Sequence, residues 1–186
     1  EQDPISTTNP NNGVFWPGKP EGAVFFFNVI QVSEDFLSTF EIDLIQGRAF
    51  HDQDEAHMQF IINQAAADAM MLDEPIGSPL TVWGHECKIV GVAENYHHQS
   101  LAEQIEPVII KCNPDQTWSA YIQFDTENTQ GLLTDIEAVY SKYEENYPFD
   151  YTFLDDQRLS SYTDLTVIGD LTFGFAMIAI VISCLG

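Results

Sequence analysis

The chain has 186 residues, of which 45% are apolar and 12% aromatic, enough to form one medium-sized core or two small ones. This content argues against intrinsic disorder. Six Lys and Arg residues oppose 29 Asp and Glu residues, which gives a formal net charge of −23. Such a charge repels phosphate backbones and anionic lipid headgroups, so we expect no nucleic-acid partner. The acidic excess would attract cations or basic partners, but it identifies none of them.

The N-terminal part predicts a lead-in followed by a strand, a helix and a second strand. Residues 1–21 are rich in Pro and have little periodicity, which predicts an extended lead-in. The nearly continuous apolar run Ala23–Val32 predicts a strand that is covered on both faces. Ser33 is the predicted N-cap of a short helix, and Ile42–Ile45 is the predicted second strand, ended by Gly47. The apolar stripe of this helix consists of Phe36, Leu37 and Phe40.

Residues 52–116 have a different pattern, with several short strands around one small helix. Phe60–Ile62 predicts a strand, and Asn63 is the predicted cap of the helix that follows. The apolar side of this helix consists of Ala65, Ala66, Ala69 and Met70. Three further strands are predicted at Leu80–Trp83, Cys87–Val92 and Val108–Lys111, with a turn at Gly84-His85 between the first two. The range 52–116 is therefore predicted to be a second small α/β lobe.

A second strand–helix–strand pattern follows. Ala120–Phe124 and Phe149–Leu154 are predicted strands, and Pro148 is predicted to end the helix between them. The helical stripe consists of Leu132, Leu133, Ile136, Val139, Tyr140 and Tyr143. The two matching patterns predict an α+β fold with two lobes. Residues 22–51 and 117–156 would form a split βαβ sandwich of ferredoxin-like type, and residues 52–116 would be inserted into it.

The C-terminal run 171–186 (LTFGFAMIAIVISCLG) contains no charged residue and no polar face. About 20 apolar residues span a bilayer, so this run predicts the start of a truncated transmembrane helix. Residues 157–170 would be a stalk in front of it. Since the approach to the run carries only Asp164 and Asp170, this flank is predicted to lie outside the cytoplasm.

The three cysteines are Cys87, Cys112 and Cys184, and they form neither a CxxC motif nor a zinc-finger spacing. Cys87 and Cys112 would form a disulfide only in an oxidising compartment. We favour the alternative, two buried thiols.

The histidines give little support for a metal site. His97 and His98 are the best candidates, but adjacent residues on a strand point to opposite faces and rarely bind one ion. His51 with Asp52 and Asp54 would form an opportunistic cation site, although such acidic residues after a Gly-Arg turn are more often a solvated loop. We therefore predict no bound metal and no cofactor.

No motif of catalysis is present. The sequence has no GxSxG, no GxxxxGK[ST] and no dinucleotide loop around Gly91. With 29 carboxylates, a pair such as Asp155-Asp156 arises by chance, so it does not indicate a glycosidase. Arg48 and Arg158 are predicted to anchor carboxylates rather than a substrate. We therefore predict no catalytic residues and expect that the protein is not an enzyme.

Several strings resemble a known family. Residues 34–40 (EDFLSTF) and 44–50 (LIQGRAF) resemble the segment with a Gly-Arg-x-Phe motif in MacB-like extracytoplasmic domains. Further matches, in the order of the family, are 61–67 (IINQAAA), 75–77 (PIG), 89–92 (IVGV), 96–101 (YHHQSL), 105–107 (IEP), 149–155 (FDYTFLD), Tyr162 and 173–186. The set covers about residues 24–186, and the segments around 96–107 resemble Bacteroidetes-type members. The family is that of the FtsX/MacB-like permease subunits of ABC transporters.

The resemblance implies an extracytoplasmic domain between two membrane helices, with a porter-like lobe and an inserted smaller, Sabre-like lobe. It implies a location at the bacterial inner membrane, on the periplasmic side. A cytoplasmic ABC ATPase would hydrolyse ATP, and the domain would couple hydrolysis to export or extraction of a substrate by mechanotransmission. The other implied partners are a second permease copy or homodimer, the membrane and a periplasmic adaptor. A different class of function is the alternative to a transport role: the chain would be a membrane-anchored sensor or binding domain that binds a cationic peptide on its acidic surface.

Overall fold

The computed structural model describes residues 10–51, 59–96, 105–116, 119–144 and 146–154, together with Phe175. Eight strands, three α-helices and a short 3-10 helix over Pro114–Gln116 have both of their ends within these ranges. The strands are β1 (Pro10–Asn11), β2 (Val14–Phe15), β3 (Phe27–Val32), β4 (Leu44–Gly47), β5 (Gln59–Asn63), β6 (Pro79–Val82), β7 (His85–Ala93) and β8 (Val108–Cys112). The helices are α1 (Phe36–Thr39), α2 (Gln64–Met70) and α3 (Thr129–Tyr143).

All eight strands belong to one mixed sheet. Its order is β1-β3-β8-β5-β7-β6-β2, and β4 also pairs with β7. The pairs β3–β8 and β5–β7 are parallel, and the other pairs are antiparallel. On the edge of β7 opposite β5, β6 pairs with His85–Lys88 and β4 pairs with Gly91–Ala93. The strands β6 and β4 therefore follow one another along a single edge of β7.

The sheet carries an apolar cluster on each face. On one face, Ala66, Ala67 and Met70 of α2 pack on a cluster that includes Phe60 and Ile89. On the other face, α1 contributes Phe36 and Leu37 to a cluster that includes Ile61, Val108 and Ile110. Because both faces of the central strands are covered, β3, β5 and β8 are almost continuously apolar rather than alternating. The mixed α+β class predicted from the sequence is confirmed.

The strand predicted at Ala23–Val32 is shorter than its apolar run. The strand β3 begins at Phe27, whereas the side chains of Val24 and Phe26 are 64% and 58% exposed. Within the described residues, β1 and β8 are the neighbours of β3, and their pairing begins at Phe27 and Asn28 respectively. The strand begins where its neighbours begin to form hydrogen bonds with it, and the apolar run does not show where that is.

The boundaries of the next elements also shift. Asp35 rather than Ser33 is the N-cap of α1, and Ser33 instead accepts a hydrogen bond from the Phe36 amide through its backbone carbonyl. The predicted strand Ile42–Ile45 is displaced by two residues to Leu44–Gly47. The apolar stripe of α1 is confirmed, since Phe36 and Leu37 are buried and Phe40 packs beside them.

The lead-in is more than an extended segment. Its described part supplies β1 and β2, and it contributes the buried side chains of Val14 and Trp16 to the core. The Trp16 indole donates a hydrogen bond to the Met70 carbonyl at 3.1 Å, and its ring packs edge-on against those of Phe25 and Phe27. Residues 10–16 are therefore part of the sheet and its core, which the prediction missed.

The predicted hairpin of residues 80–92 is confirmed with its turn shifted by one residue. The register pairs Val82 with His85, so that Trp83 and Gly84 form a two-residue loop. Their φ angles are 51° and 79°, the positive values that a type I′ turn requires at both positions.

The sheet crosses the predicted lobe boundary at residue 52. The strands β3 and β4 come from the range 22–51, yet they pair with β8 and β7 from the range 52–116. These two ranges therefore share one sheet. The structure shows no strand at the described residues of 120–124 and 149–154. Tyr121 instead packs its ring against Phe40, and Phe149 against Tyr140.

The chain divides into two compact units, Glu1–Gln123, which contains the sheet, and Phe124–Gly186, which contains α3. The α3 helix confirms the predicted helical periodicity, and Asn128 caps its N-terminus by accepting a hydrogen bond from the Gly131 amide. It ends at Tyr143, five residues before Pro148, so this proline is not its terminator. None of its residues is fully buried.

Candidate functional site

The predicted metal candidates are largely outside the described structure. His51 is described and exposed, whereas Asp52, Asp54, His97 and His98 lie outside the described residues. Within the described ranges, no group of three or more His, Cys, Asp or Glu side chains is arranged to hold a metal ion. The prediction about His97 and His98 stays a prediction.

Cys87 and Cys112 are both buried thiols, and no disulfide joins them, as predicted. Burial raises the pKa of the Cys87 thiol; the nearby Lys111 charge opposes this effect and Glu86 adds to it. The Cys112 thiol donates a weak hydrogen bond to the Glu34 carboxylate at 3.9 Å. A raised pKa keeps Cys87 in the protonated, weakly nucleophilic form, so it is a poor catalytic nucleophile.

Asn63 is a buried hydrogen-bonding centre that joins three elements. Its side-chain oxygen accepts hydrogen bonds of 2.9 Å from the amides of Ala66 in α2 and Val108 in β8. Its side-chain nitrogen donates to the Glu106 carbonyl at 2.9 Å. The sequence predicted Asn63 as a helix cap, which is confirmed. The two contacts that bind the cap to the start of β8 depend on the tertiary structure.

The segment in front of β8 is held from a second side. The Asn28 side chain donates to the Glu106 carboxylate at 2.6 Å, and the Asn28 amide donates to the Pro107 carbonyl at 2.9 Å. The Asn95 side chain caps α2 by accepting from the Ala65 amide at 2.9 Å. Several residues of the resembling strings at 61–67 and 105–107 therefore hold α2 and the start of β8 in place.

Gly47 and Gly91 bring β4 and β7 into close contact. Gly47 has a φ of 78°, and a Cβ placed on it would collide with the Val90 carbonyl oxygen and lie 2.7 Å from the Ile76 side chain. A Cβ on Gly91 would lie 2.6 Å from the Arg48 carbonyl oxygen. The glycine of the Gly-Arg-x-Phe motif is thus required by both its backbone conformation and this contact.

A surface groove of about 420 Å³ lies beside this crossing, and we call it the β4–β7 groove. The residues that line it include Gly47, Arg48, Ile76, Lys88 and Val90. The Gly77 amide donates to the Ile89 carbonyl at 2.7 Å and the Arg48 amide donates to the Val90 carbonyl at 3.0 Å, which fixes its walls to β7. Two of the six basic residues of the chain therefore line one apolar groove.

The outcome for the predicted arginine anchors is mixed. Arg158 lies outside the described residues. The Arg48 guanidinium donates to the Ala49 carbonyl at 3.2 Å and lines the groove, and its predicted role as a carboxylate anchor stays a prediction. Sequence reasoning did not single out Lys88. Because the chain has only six basic residues, each of them was worth considering as a candidate binding residue. The sequence does not show, however, that the pairing of β4 with β7 brings Arg48 and Lys88 to the same groove.

The described ranges contain no helix that combines the length and hydropathy needed to cross a bilayer. The predicted stalk 157–170 and membrane segment 171–186 lie outside the described residues, apart from Phe175.

Curated protein sequences give no significant match. The periplasmic region of MacB from Actinobacillus actinomycetemcomitans is structurally similar, with a TM-score of 0.56 and 13% identity over 80% of this chain and 70% of that chain. A domain of a permease protein from Porphyromonas gingivalis has a TM-score of 0.52 and 17% identity over 78% of this chain and 76% of that chain.

The family model of the MacB-like periplasmic core domain matches residues 3–139. This range includes the whole sheet, with β1 and β2 from the lead-in, and most of α3. The match and the shared fold lead to one conclusion: the chain belongs to the family of MacB-like periplasmic core domains, which are parts of ABC transporter permeases.

Proposed function

We propose that the chain is the extracytoplasmic domain of an ABC transporter permease subunit that couples cytoplasmic ATP hydrolysis to export or extraction of a substrate by mechanotransmission. The observation that carries this proposal is the family match over residues 3–139. The central sheet supports it, because a close-packed sheet with covered faces and a hydrogen-bonded buried Asn63 would move as one body.

The proposal places the domain on the periplasmic side of the bacterial inner membrane. Its proposed partners are a cytoplasmic ABC ATPase, a second permease copy or homodimer, and a periplasmic adaptor. The family supports the ATPase, since its members belong to transporters that work with one. That residues 117–156 join residues 22–51 in one lobe stays a prediction.

The route of coupling is proposed from the sequence alone. Leu159, Tyr162 and Thr166 follow at helical spacing after Asp155-Asp156, and no Pro interrupts the chain before residue 171. A continuous helix over the stalk 157–170 into the segment 171–186 would be a stiff lever between the membrane and the outer domain. A flexible stalk would only tether the domain.

The test is a flexible Gly-Ser insertion after Tyr162 in the full-length permease. With a lever, the variant is expressed and its ATPase subunit still hydrolyses ATP, but it no longer restores function in a strain that lacks the permease. The matched control places the same insertion at the Trp83-Gly84 hairpin turn, where a loop insertion is tolerated and function should remain. If the variant with the insertion after Tyr162 retained full function, the stiff stalk would be contradicted and a flexible stalk that only tethers the domain would be the better explanation.

A further inference from the structure

The β4–β7 groove has an unusual charge for this molecule. The chain carries 29 acidic and six basic residues, yet Arg48 and Lys88 both line this groove. Lys88 is exposed, and among the described residues its ammonium group forms no hydrogen bond or ion pair. Lys88 is therefore the basic group that this groove offers to a ligand.

The remaining walls of the groove are apolar and fixed. Ile76 is 42% exposed, and Val90 is half-buried beside it. The close contact at Gly47 leaves no room for a larger residue between β4 and β7. Apolar walls with a few charged groups at the rim are a composition that binding sites share, and here they surround an open groove of about 420 Å³.

We propose that the β4–β7 groove binds an acidic segment of a partner protein, in which a carboxylate contacts Lys88 and a neighbouring aliphatic side chain packs on Ile76 and Val90. A carboxylate supplies the charge that an ammonium group binds best. The groove is wide open to solvent, so a small molecule would leave much of its surface in water. A segment held elsewhere by its own protein needs only such a shallow anchor. This proposal does not depend on the transport function.

The net charge of −23 sets the conditions of the test. At low ionic strength the whole chain repels an acidic peptide. At about 0.15 M salt the Debye length is about 8 Å, so charges that are far from the groove are largely screened and the contact with Lys88 is measured with less repulsion from the rest of the chain. Binding is therefore measured at this salt concentration.

The test is an NMR titration of the ¹⁵N-labelled 186-residue chain with the blocked pentapeptide Ala-Leu-Glu-Leu-Ala. We expect shifts confined to the amides around Arg48, Gly77 and Lys88, and weaker binding of the same peptide with Gln in place of Glu. Lys88→Gln should weaken binding of the acidic peptide about tenfold, as expected for loss of a charge-assisted hydrogen bond. The control Lys142→Gln makes the same charge change at an exposed position of α3, and it should alter affinity less than about twofold.

Three results would overturn the proposal. The first is that millimolar peptide causes no chemical-shift changes, or causes them only at amides outside the groove. The second is equal binding of the Glu and Gln peptides, and the third is an equal effect of Lys88→Gln and Lys142→Gln on affinity. Ile76→Gln provides a second variant that keeps every charge, and it should also weaken binding. The spectrum of each variant reports whether the chain is folded before the titration begins.

Discussion

The sheet unit and the α3 unit use apolar residues in different ways. In Glu1–Gln123, side chains such as Ile61 and Ile109 are completely buried between the sheet and its covering elements. In Phe124–Gly186, the apolar stripe of α3 is only half-buried, and Val139 and Tyr143 are 53% and 87% exposed. Both regions are marked in the sequence, the sheet unit by apolar runs and α3 by helical spacing. Such patterns identify an element, whereas the energetic value of its apolar residues depends on what covers them.

The largest expected effect comes from the same truncation in the two regions. Ile61→Ala removes a completely buried side chain, and it should lower the free energy of unfolding by about 2–5 kcal/mol. Ile136→Ala removes a half-buried one, and it should cost about 1 kcal/mol. Urea denaturation of both variants checks this difference. Equal losses would mean that α3 is covered as completely as β5.

The second comparison uses two asparagine caps. Asn63→Ala leaves two buried amides and one carbonyl without their partner, and it should cost about 3 kcal/mol or more. Asn128→Ala removes one exposed cap bond to Gly131, and it should cost about 1 kcal/mol. Thermal and urea unfolding measure both. A similar cost at the two sites would show that the contacts of Asn63 to β8 and Glu106 contribute little.

The third comparison concerns alkaline pH. Burial raises the pKa of Tyr96 above its ordinary value of 10.0, and it raises the pKa of Cys87 above 9.0. Above these ordinary values the unfolded chain loses protons that the folded chain retains, so stability should fall as the pH rises beyond about 9 to 10. Unfolding curves between pH 7 and 11 measure the fall, and Tyr96→Phe should reduce it. Tyr143→Phe, at an exposed site, is the control, and an unchanged fall in Tyr96→Phe would contradict the assignment.

The smallest effect is expected on the polar side of α3. Glu137 is exposed, so Glu137→Gln should change the free energy of unfolding by less than about 0.5 kcal/mol. The comparison with Ile136→Ala tests the orientation of the helix, because the two residues are adjacent. A larger loss in Glu137→Gln than in Ile136→Ala would mean that the helical face was assigned wrongly.

Much of the sheet unit was predictable. The strands β5 and β8, the cap at Asn63 and the stripe of α1 agree with local residue types, because here the local preference and the tertiary contacts favour the same structure. The sequence strings also identified the family. The partner strands were less predictable. β1 and β2 have two residues each, and such short segments have no periodicity of their own.

Whereas β1 and β2 were missed, strands were predicted at 120–124 and 149–154 where the structure has none. Their alternating aromatic residues are typical of strands, but the described residues there pack rings on Phe40 and Tyr140 and form no strand. A strand exists only through hydrogen bonds to a neighbour, and alternation in one segment does not supply the neighbour. The β4–β7 groove escaped prediction for the same reason, since Arg48 and Lys88 are 40 residues apart in the sequence.

The sequence by itself determined the α+β class, the family and the helical phase of α1 and α3. These properties depend on local residue types and on ordered short strings. Only the tertiary structure decided that one sheet unites residues 22–51 with 52–116, and that Gly47 lies against Gly91. Strand order and close backbone contacts arise from long-range pairing, whose free energy depends on both partners at once, and no single segment of the chain encodes it.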